Sequence, residues 1–286
     1  MKKKEVNIKK KLGLFSKLFL IICGLLVLIY CYMHYIEPKI FQVKEYAIVD
    51  SNIPKSFNGL KLLHFSDIHF GRTTNEPELN RIVKEINLLK PDILVFTGDL
   101  FDEYINLSEA NKVYLKKVLK EINASIGKYA ILGDNDYLDK DLYFEIMNEA
   151  NFKVLDNKNI PIYYHGSTPI YLGGVSSITK GEYDLGKSLT KEEANSYQIL
   201  LTHEPIIFDE IASKTNLVLA GHSLGGLIRL PYLGALFPFD NTKNYQSGKY
   251  SKLQSTMYVS NGIGTENISL RLFNIPSINL YRFYTK

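Results

Sequence analysis

The chain has 286 residues, 45% hydrophobic and 22% charged, which fits a globular protein and excludes a disordered one. Its net charge of +4 arises in the first 17 residues, which hold seven lysines and one glutamate; the other 27 basic and 29 acidic residues leave the body slightly acidic. A basic nucleic-acid surface is excluded, and no nucleic-acid partner is expected.

Residues 1–17 read as a basic cytoplasmic tail and residues 18–36 as a transmembrane anchor. From Leu12 to Ile36 the one fully charged side chain is Lys17, near the end, where it can snorkel. At about 1.5 Å rise per residue, roughly 20–25 residues span a bilayer core. The run ends in YCYMHYIEP, bulky and without the small-residue pattern of a cleaved signal, so the anchor is expected to stay. Lysines ahead of the span belong in the cytoplasm, which places the remainder outside as a single-pass protein of the cell membrane. Tyr30, Tyr32 and Tyr35 suit the interfacial belt. Cys23 and Cys31 fall within the span, so the outer domain has no disulfide.

Residues 37–286 read as one α/β domain. A connector and first strand (QVKEYAIVD) precede alternating strands and helices. After Thr74, Pro77 fits a helical first turn, and Leu79, Ile82, Val83, Ile86 and Leu89 repeat at helical spacing until Pro91. Strand DILVF follows, then a helix over about 107–123, strand YAIL, and a helix after Asp139. From about residue 152 strands dominate: IPIYY, PIYLGGV, YQILLT, NLVLAG, TMYVS, ISLRLF and INLYRFY. Two packed sheets with helices outside are predicted, with ligands at the carboxyl ends of the strands.

Five polar stations stand at such ends: Asp67-Ile68-His69, Gly98-Asp99, Gly133-Asp134-Asn135-Asp136, His203 and Gly221-His222. Carboxylate oxygens and neutral imidazoles converging from several strands suit Mn, Fe or Zn, with Mg possible for a carboxylate-rich set. Asp99 has two oxygens with which to bridge two cations. Arg72, beside the first station, is placed to meet a phosphate; Asp102 and Asp136 are candidates for orienting ligands. His64, inside a strand, reads as a packed residue, and His165 as a turn residue. The apolar loop holding Tyr232, Leu233, Leu236, Phe237 and Phe239 reads as core packing or as a lip toward lipid. Residues 221–225 also spell G-x-S-x-G, the nucleophile elbow of serine hydrolases, but no histidine follows Ser223 to serve as its base.

The motifs D-I-H, G-D-L-F-D, L-G-D-N-D-Y, T-H-E-P and G-H-S-L-G-G-L-I-R-L-P, in this order, resemble those of the calcineurin-like metallophosphoesterases. GALFPF and YVSNGIGTENISLRLFN resemble the closing strands of the membrane-anchored bacterial branch. The resemblance covers about residues 45–286 and implies a four-layer α/β/β/α sandwich. It implies one or two divalent metal ions: Asp67, His69 and Asp99 at one, and Asp99, Asp134, His203 and His222 at the other. It implies a phosphoester substrate attacked by a metal-activated hydroxide, and the anchor and the apolar loop suggest that this phosphoester is lipid-linked or of the cell envelope. Asn135, Asp136 and Arg72 are the residues expected to act on it.

Two positions depart from the pattern. Asp134-Asn135 stands where the family has Asn-His, and Leu224 stands where it has a metal-binding histidine. Asn135 has no acid–base function near neutral pH, and leucine binds no metal. Three readings follow: an active enzyme with an altered site, a one-metal enzyme centred on Asp99, Asp134, His203 and His222, and a catalytically impaired protein that binds or scaffolds in the envelope.

Overall fold

The computed structural model describes residues 2–71, 74–102, 107–189, 195–266 and 269–286. Helix α1 (Lys2–Cys31) runs through the basic residues as well as the apolar ones, so the boundary expected at residue 17 has no counterpart in the backbone. A π-helical turn (Tyr32–Ile36) and a 3₁₀ turn (Glu37–Lys39) follow. Residues Phe15–Lys39 form one helical stretch long and apolar enough to cross a membrane.

Two six-stranded sheets form the body. The first contains β1 (Gln42–Asp50), β2 (Lys61–Phe65), β3 (Ile93–Phe96), β4 (Gly127–Ala130) and β5 (Phe152–Val154). The second contains β6 (Lys158–Ile162), β7 (Ile170–Gly174), β8 (Gln198–Thr202) and β9 (Leu217–Ala220). A two-stranded hairpin of β10 (Arg229–Leu230) and β11 (Gly234–Ala235) stands apart; β12 (Gly248–Lys252) and β13 (Ser255–Val259) complete the second sheet. The last strand, β14 (Ser277–Thr285), returns to the first sheet, between β1 and β2. The orders are β1-β14-β2-β3-β4-β5 and β12-β13-β9-β8-β7-β6. Strands β2 to β5 are parallel, as are β7, β8, β9 and β13.

Continuous apolar strands are what a sheet covered on both faces requires, and alternation along them sorts side chains between layers. On β2, Leu63 and Phe65 face helices α2 (Glu76–Leu89), α3 (Glu109–Lys120) and α4 (Lys140–Glu149), in one core with Ile82, Leu119 and Ile146. Leu62 points the other way, into a core between the sheets with Ile199, Leu219 and Tyr281. Outside the second sheet, Leu200, Val218 and Met257 pack on Phe208 and Ile211 of a short helix (Phe208–Ile211). The layers are therefore α/β/β/α. Helix α2 starts at an Asn75–Glu78 capping box with Pro in its first turn, as its sequence predicts.

Among the described residues, one expected strand is not formed. ISLRLF begins at residue 268, which lies outside the described residues, and its described part makes one isolated bridge, Ile228↔Leu272. Arg271 explains this. Its guanidinium is fully buried and donates to carbonyls of Asn261 (2.9 Å) and Asn274 (3.1 Å) and also to that of Gly264, so the segment serves to tie loops together.

Candidate metal centre

The loops after β2, β3, β4, β8 and β9 meet at one end of the two sheets. The β2 loop lies against the β3 loop: Asp67 N–H donates to Gly98 O (2.9 Å), and Ile68 and His69 N–H donate to Asp99 O (2.8 and 3.1 Å). This lacing holds Asp67, His69 and Asp99 at φ 54°, 48° and 60°, and His222 stands at 65°. Left-handed backbone is uncommon outside glycine and costs about 1–3 kcal/mol per residue, so the surrounding contacts hold these four in place. The β3 and β4 loops approach so closely that a Cβ on Gly133 would lie 2.1 Å from Asp99 Oδ1, which explains the glycine before Asp134.

Asp136 is the clamp between these loops. Its carboxylate accepts from the N–H groups of Asp99 (2.8 Å), Leu100 (2.9 Å) and Gly133 (2.8 Å). It is fully buried and is not among the residues that line the cleft, and these three bonds shape the cleft wall. Arg72 lies outside the described residues. Asp102 is buried.

Two overlapping donor sets result. Asp99, Asp134, His203 and His222 each offer an atom within 4.8 Å of the others, and so do Asp67, His69 and Asp99. His203 Nε2 lies 3.0 Å from Asp134 Oδ1 and 3.3 Å from Asp99 Oδ2; His222 Nδ1 lies 3.3 Å from Asp134 Oδ1. His203 Nδ1 is held by Thr97 O at 2.6 Å, and His222 N–H donates to Asp67 Oδ1 at 2.9 Å. Asp67 Oδ2 is buried without a hydrogen bond. Three carboxylates with imidazoles between them, and a buried carboxylate oxygen left over, fit divalent cations. Leu224, buried, lines the cleft beside His69, so the three-residue set has an apolar wall where a fourth donor would stand.

The electrostatics agree. Burial pushes Asp99 up to about 8 and Asp136 up to about 7. Burial also works against Asp134, but hydrogen bonds from His203 and His222 outweigh it and hold that carboxyl well below the usual range. His203 is held protonated far above the ordinary imidazole value: burial opposes its charge, and Asp99 and Asp134 overcome it. The cluster thus retains protons that a bound cation would displace. Apparent affinity for Mn²⁺ is expected to rise with pH up to about 8, where Asp99 titrates. Calorimetry in two buffers of different ionisation heat measures the released protons; binding without proton release would contradict this assignment.

Around the donors runs a cleft of about 190 Å³, walled by Asn135, Phe239, Asn241 and Glu266. Asn135 Nδ2 donates to Asp99 Oδ2 at 3.2 Å, and its backbone N–H donates to Asp99 Oδ1 at 3.0 Å. The Asn241 amide lies 2.8 Å from His222 Nε2 and so orients the ring with Nδ1 toward Asp134. The sequence reading missed Asn241, Glu266 and Arg271. Only Arg271 carried a signal there, as a lone cation in an apolar run. Ser223 is fully buried and its hydroxyl donates to Gln246 O (2.6 Å), which removes the serine-hydrolase alternative. His64 is packed inside β2, its Nε2 2.8 Å from Thr97 Oγ1, and burial drives it down to about 3. His165 occupies a bend at φ 50°.

The chain belongs to the calcineurin-like phosphoesterase family, whose domain it matches over residues 60–226. It is 30% identical over 259 residues to the uncharacterized metallophosphoesterase YkuE of Bacillus subtilis (strain 168), covering 88% of each chain. It is 28% identical over 251 residues to a transmembrane protein with metallophosphoesterase domain of Danio rerio, covering 82% of this chain and 55% of that one. It is 32% identical over 126 residues to the UDP-2,3-diacylglucosamine pyrophosphatase LpxG of Chlamydia muridarum (strain MoPn / Nigg), covering 42% of this chain and 36% of that one.

Proposed function

We propose that this family member is a membrane-tethered, divalent-metal-dependent phosphoesterase whose α/β/β/α domain faces away from the cytoplasm and acts on a phosphoester of the cell envelope. The observation that carries the reading is the Asp99-centred cluster, in which Asp134, His203 and His222 share one position and Asp67 and His69 share the next. The apolar helix and the lysines before it support the tether and its orientation.

Divalent cations held by these residues supply Lewis-acid polarisation of phosphoryl oxygens and activation of water at neutral pH. The chain supplies the rest. Asp99, at the junction of the two donor sets, fixes their spacing. Thr97 O orients His203 and the Asn241 amide orients His222, which turns His203 Nε2 and His222 Nδ1 toward the cluster. Asn135 presents amide hydrogens to the cleft: it can hold a phosphoryl oxygen but has no proton to give a leaving group. The site therefore favours phosphoesters whose leaving group departs without protonation.

A hydrocarbon-bearing substrate is supported by a groove of about 280 Å³ lined by Leu227, Ile228, Phe237 and Leu270, which meets the metal cleft at Phe239 and Glu266. The name of the Chlamydia relative, with its diacylated phosphate substrate, supports it too. The competing reading, a non-catalytic envelope scaffold, is favoured by Leu224 and Asn135. Hydrolysis of bis-p-nitrophenyl phosphate by the full chain with Mn²⁺ decides between them, and no metal-dependent turnover would return the scaffold reading. An Asn135→His variant is expected to gain on alkyl leaving groups, within the about 10²–10⁴-fold that a general acid contributes, with little gain on nitrophenolate. Equal effects on both would contradict the assignment of residue 135.

A further inference from the structure

Residues 269–274 lie between the end of the anchor and the apolar hairpin. On one side Arg271 N–H donates to Met33 O (3.0 Å), His34 Nδ1 lies 2.8 Å from Ser269 O, and Asn274 N–H donates to the carboxylate of Glu37. Glu37 is buried. On the other side Leu272 N–H donates to Leu227 O (3.1 Å) and Arg229 N–H donates to Leu272 O (2.9 Å). Neighbouring extended chains run about 4.8 Å apart, so the 227–229 stretch passes within about 10 Å of the anchor's end. The β10–β11 hairpin grows out of that stretch.

Its tip is apolar and faces outward. Tyr232 is fully exposed, Leu233 is 77% and Phe237 76% exposed, and Phe273 beside them is 62% exposed. Tyr232, Leu233 and Phe273 line one hollow. From Gly226 to Phe239 the one charged residue is Arg229, whose guanidinium turns back to Gly225 O (2.9 Å). An aromatic, carboxylate-free patch of this kind marks an interaction surface, and its residue types are those of a membrane interface. At the anchor's end Tyr32 and Tyr35 are likewise exposed and mark the same level.

We infer that the hairpin lip is a bilayer-contact surface. Tyr232, Leu233, Phe237 and Phe273 enter the interface of the bilayer that holds α1, and the metal cleft opens at the level of the headgroups. The occupant is the phospholipid interface itself, because the hydrogen bonds through residues 269–274 fix the lip beside the anchor. This rests on α1 crossing a membrane and does not depend on catalysis.

The chain has no tryptophan, so single reporters are clean. Leu233→Trp and Phe273→Trp, with Val113→Trp at an exposed position of α3 as control, are made in the full chain and reconstituted into phosphatidylcholine vesicles. Interfacial insertion reaches about 5–10 Å into the headgroup and acyl boundary, so the reporters at 233 and 273 are expected to shift blue and to lose at least about half their fluorescence to brominated phosphatidylcholine. The reporter at 113 is not. Protein that floats with the vesicles but shows equal quenching at 113, 233 and 273 overturns the inference and leaves the anchor standing. Blue-shifted emission without bromine quenching assigns the patch to protein contact and also overturns it. Protein that fails to float overturns the anchor and the inference together. If one reporter variant does not fold, the other decides.

Discussion

Replacing Asp99 by alanine is expected to remove metal-dependent phosphodiester hydrolysis almost entirely, by about 10²–10³-fold or more, the loss typical when a principal charge-stabilising element is deleted. Asp99 is the one residue common to both donor sets. Its Oδ2 faces His69 (3.7 Å), His203 (3.3 Å) and the Asn135 amide (3.2 Å), so its loss dismantles both positions at once. The change is a truncation toward an existing cleft, so folding should survive it. Rates with bis-p-nitrophenyl phosphate and Mn²⁺, wild type beside variant, measure the effect. Equal rates would show that the observed hydrolysis arises elsewhere.

Asp136→Ala is expected to act on the fold first and on activity through it. The variant leaves the N–H groups of Asp99, Leu100 and Gly133 buried without acceptors. Each unsatisfied buried donor costs about 1–3 kcal/mol, which gives a loss of about 3 kcal/mol or more. For a domain of this size that lowers Tm by about 6–12 °C. Activity should fall as well, since these bonds set the left-handed turn at Asp99. A thermal melt unchanged from wild type would contradict the role of Asp136 as a clamp.

These two aspartates mark the reach of the sequence. Asp99 was readable because a glycine and an acid ended the apolar run DILVF, and because four similar stations repeated the pattern in order. Buried parallel strands write themselves as such runs, so the layers and the strand ends were legible as well. Asp136 was not readable as a clamp. Its acceptors' partners come from two loops, Leu100 on one and Gly133 on the other, and nothing local separates a clamping acid from one that meets substrate. Asn241 gave no signal for a similar reason: it reaches His222 only because the loop after β11 folds back over the cleft. Arg271 stands in an apolar run, ISLRLF, that reads as a strand. In the fold it is a buried guanidinium that gathers carbonyls from residues 261, 264 and 274. Leu224 and Asn135 were readable as departures, and the structure shows what they change: one leaves an apolar wall beside His69, the other ties its amide to Asp99.

The strength of the cluster as a cation site is the claim on which the functional reading stands, and it is separable from turnover. Mn²⁺ titrated calorimetrically into the full-length protein, wild type beside His203→Ala and Asp134→Ala, tests it most directly. Saturable binding of at least one ion per chain by the wild type, lost in both variants, is the predicted result. No binding heat above the buffer blank, or the same titration in all three proteins, would contradict it.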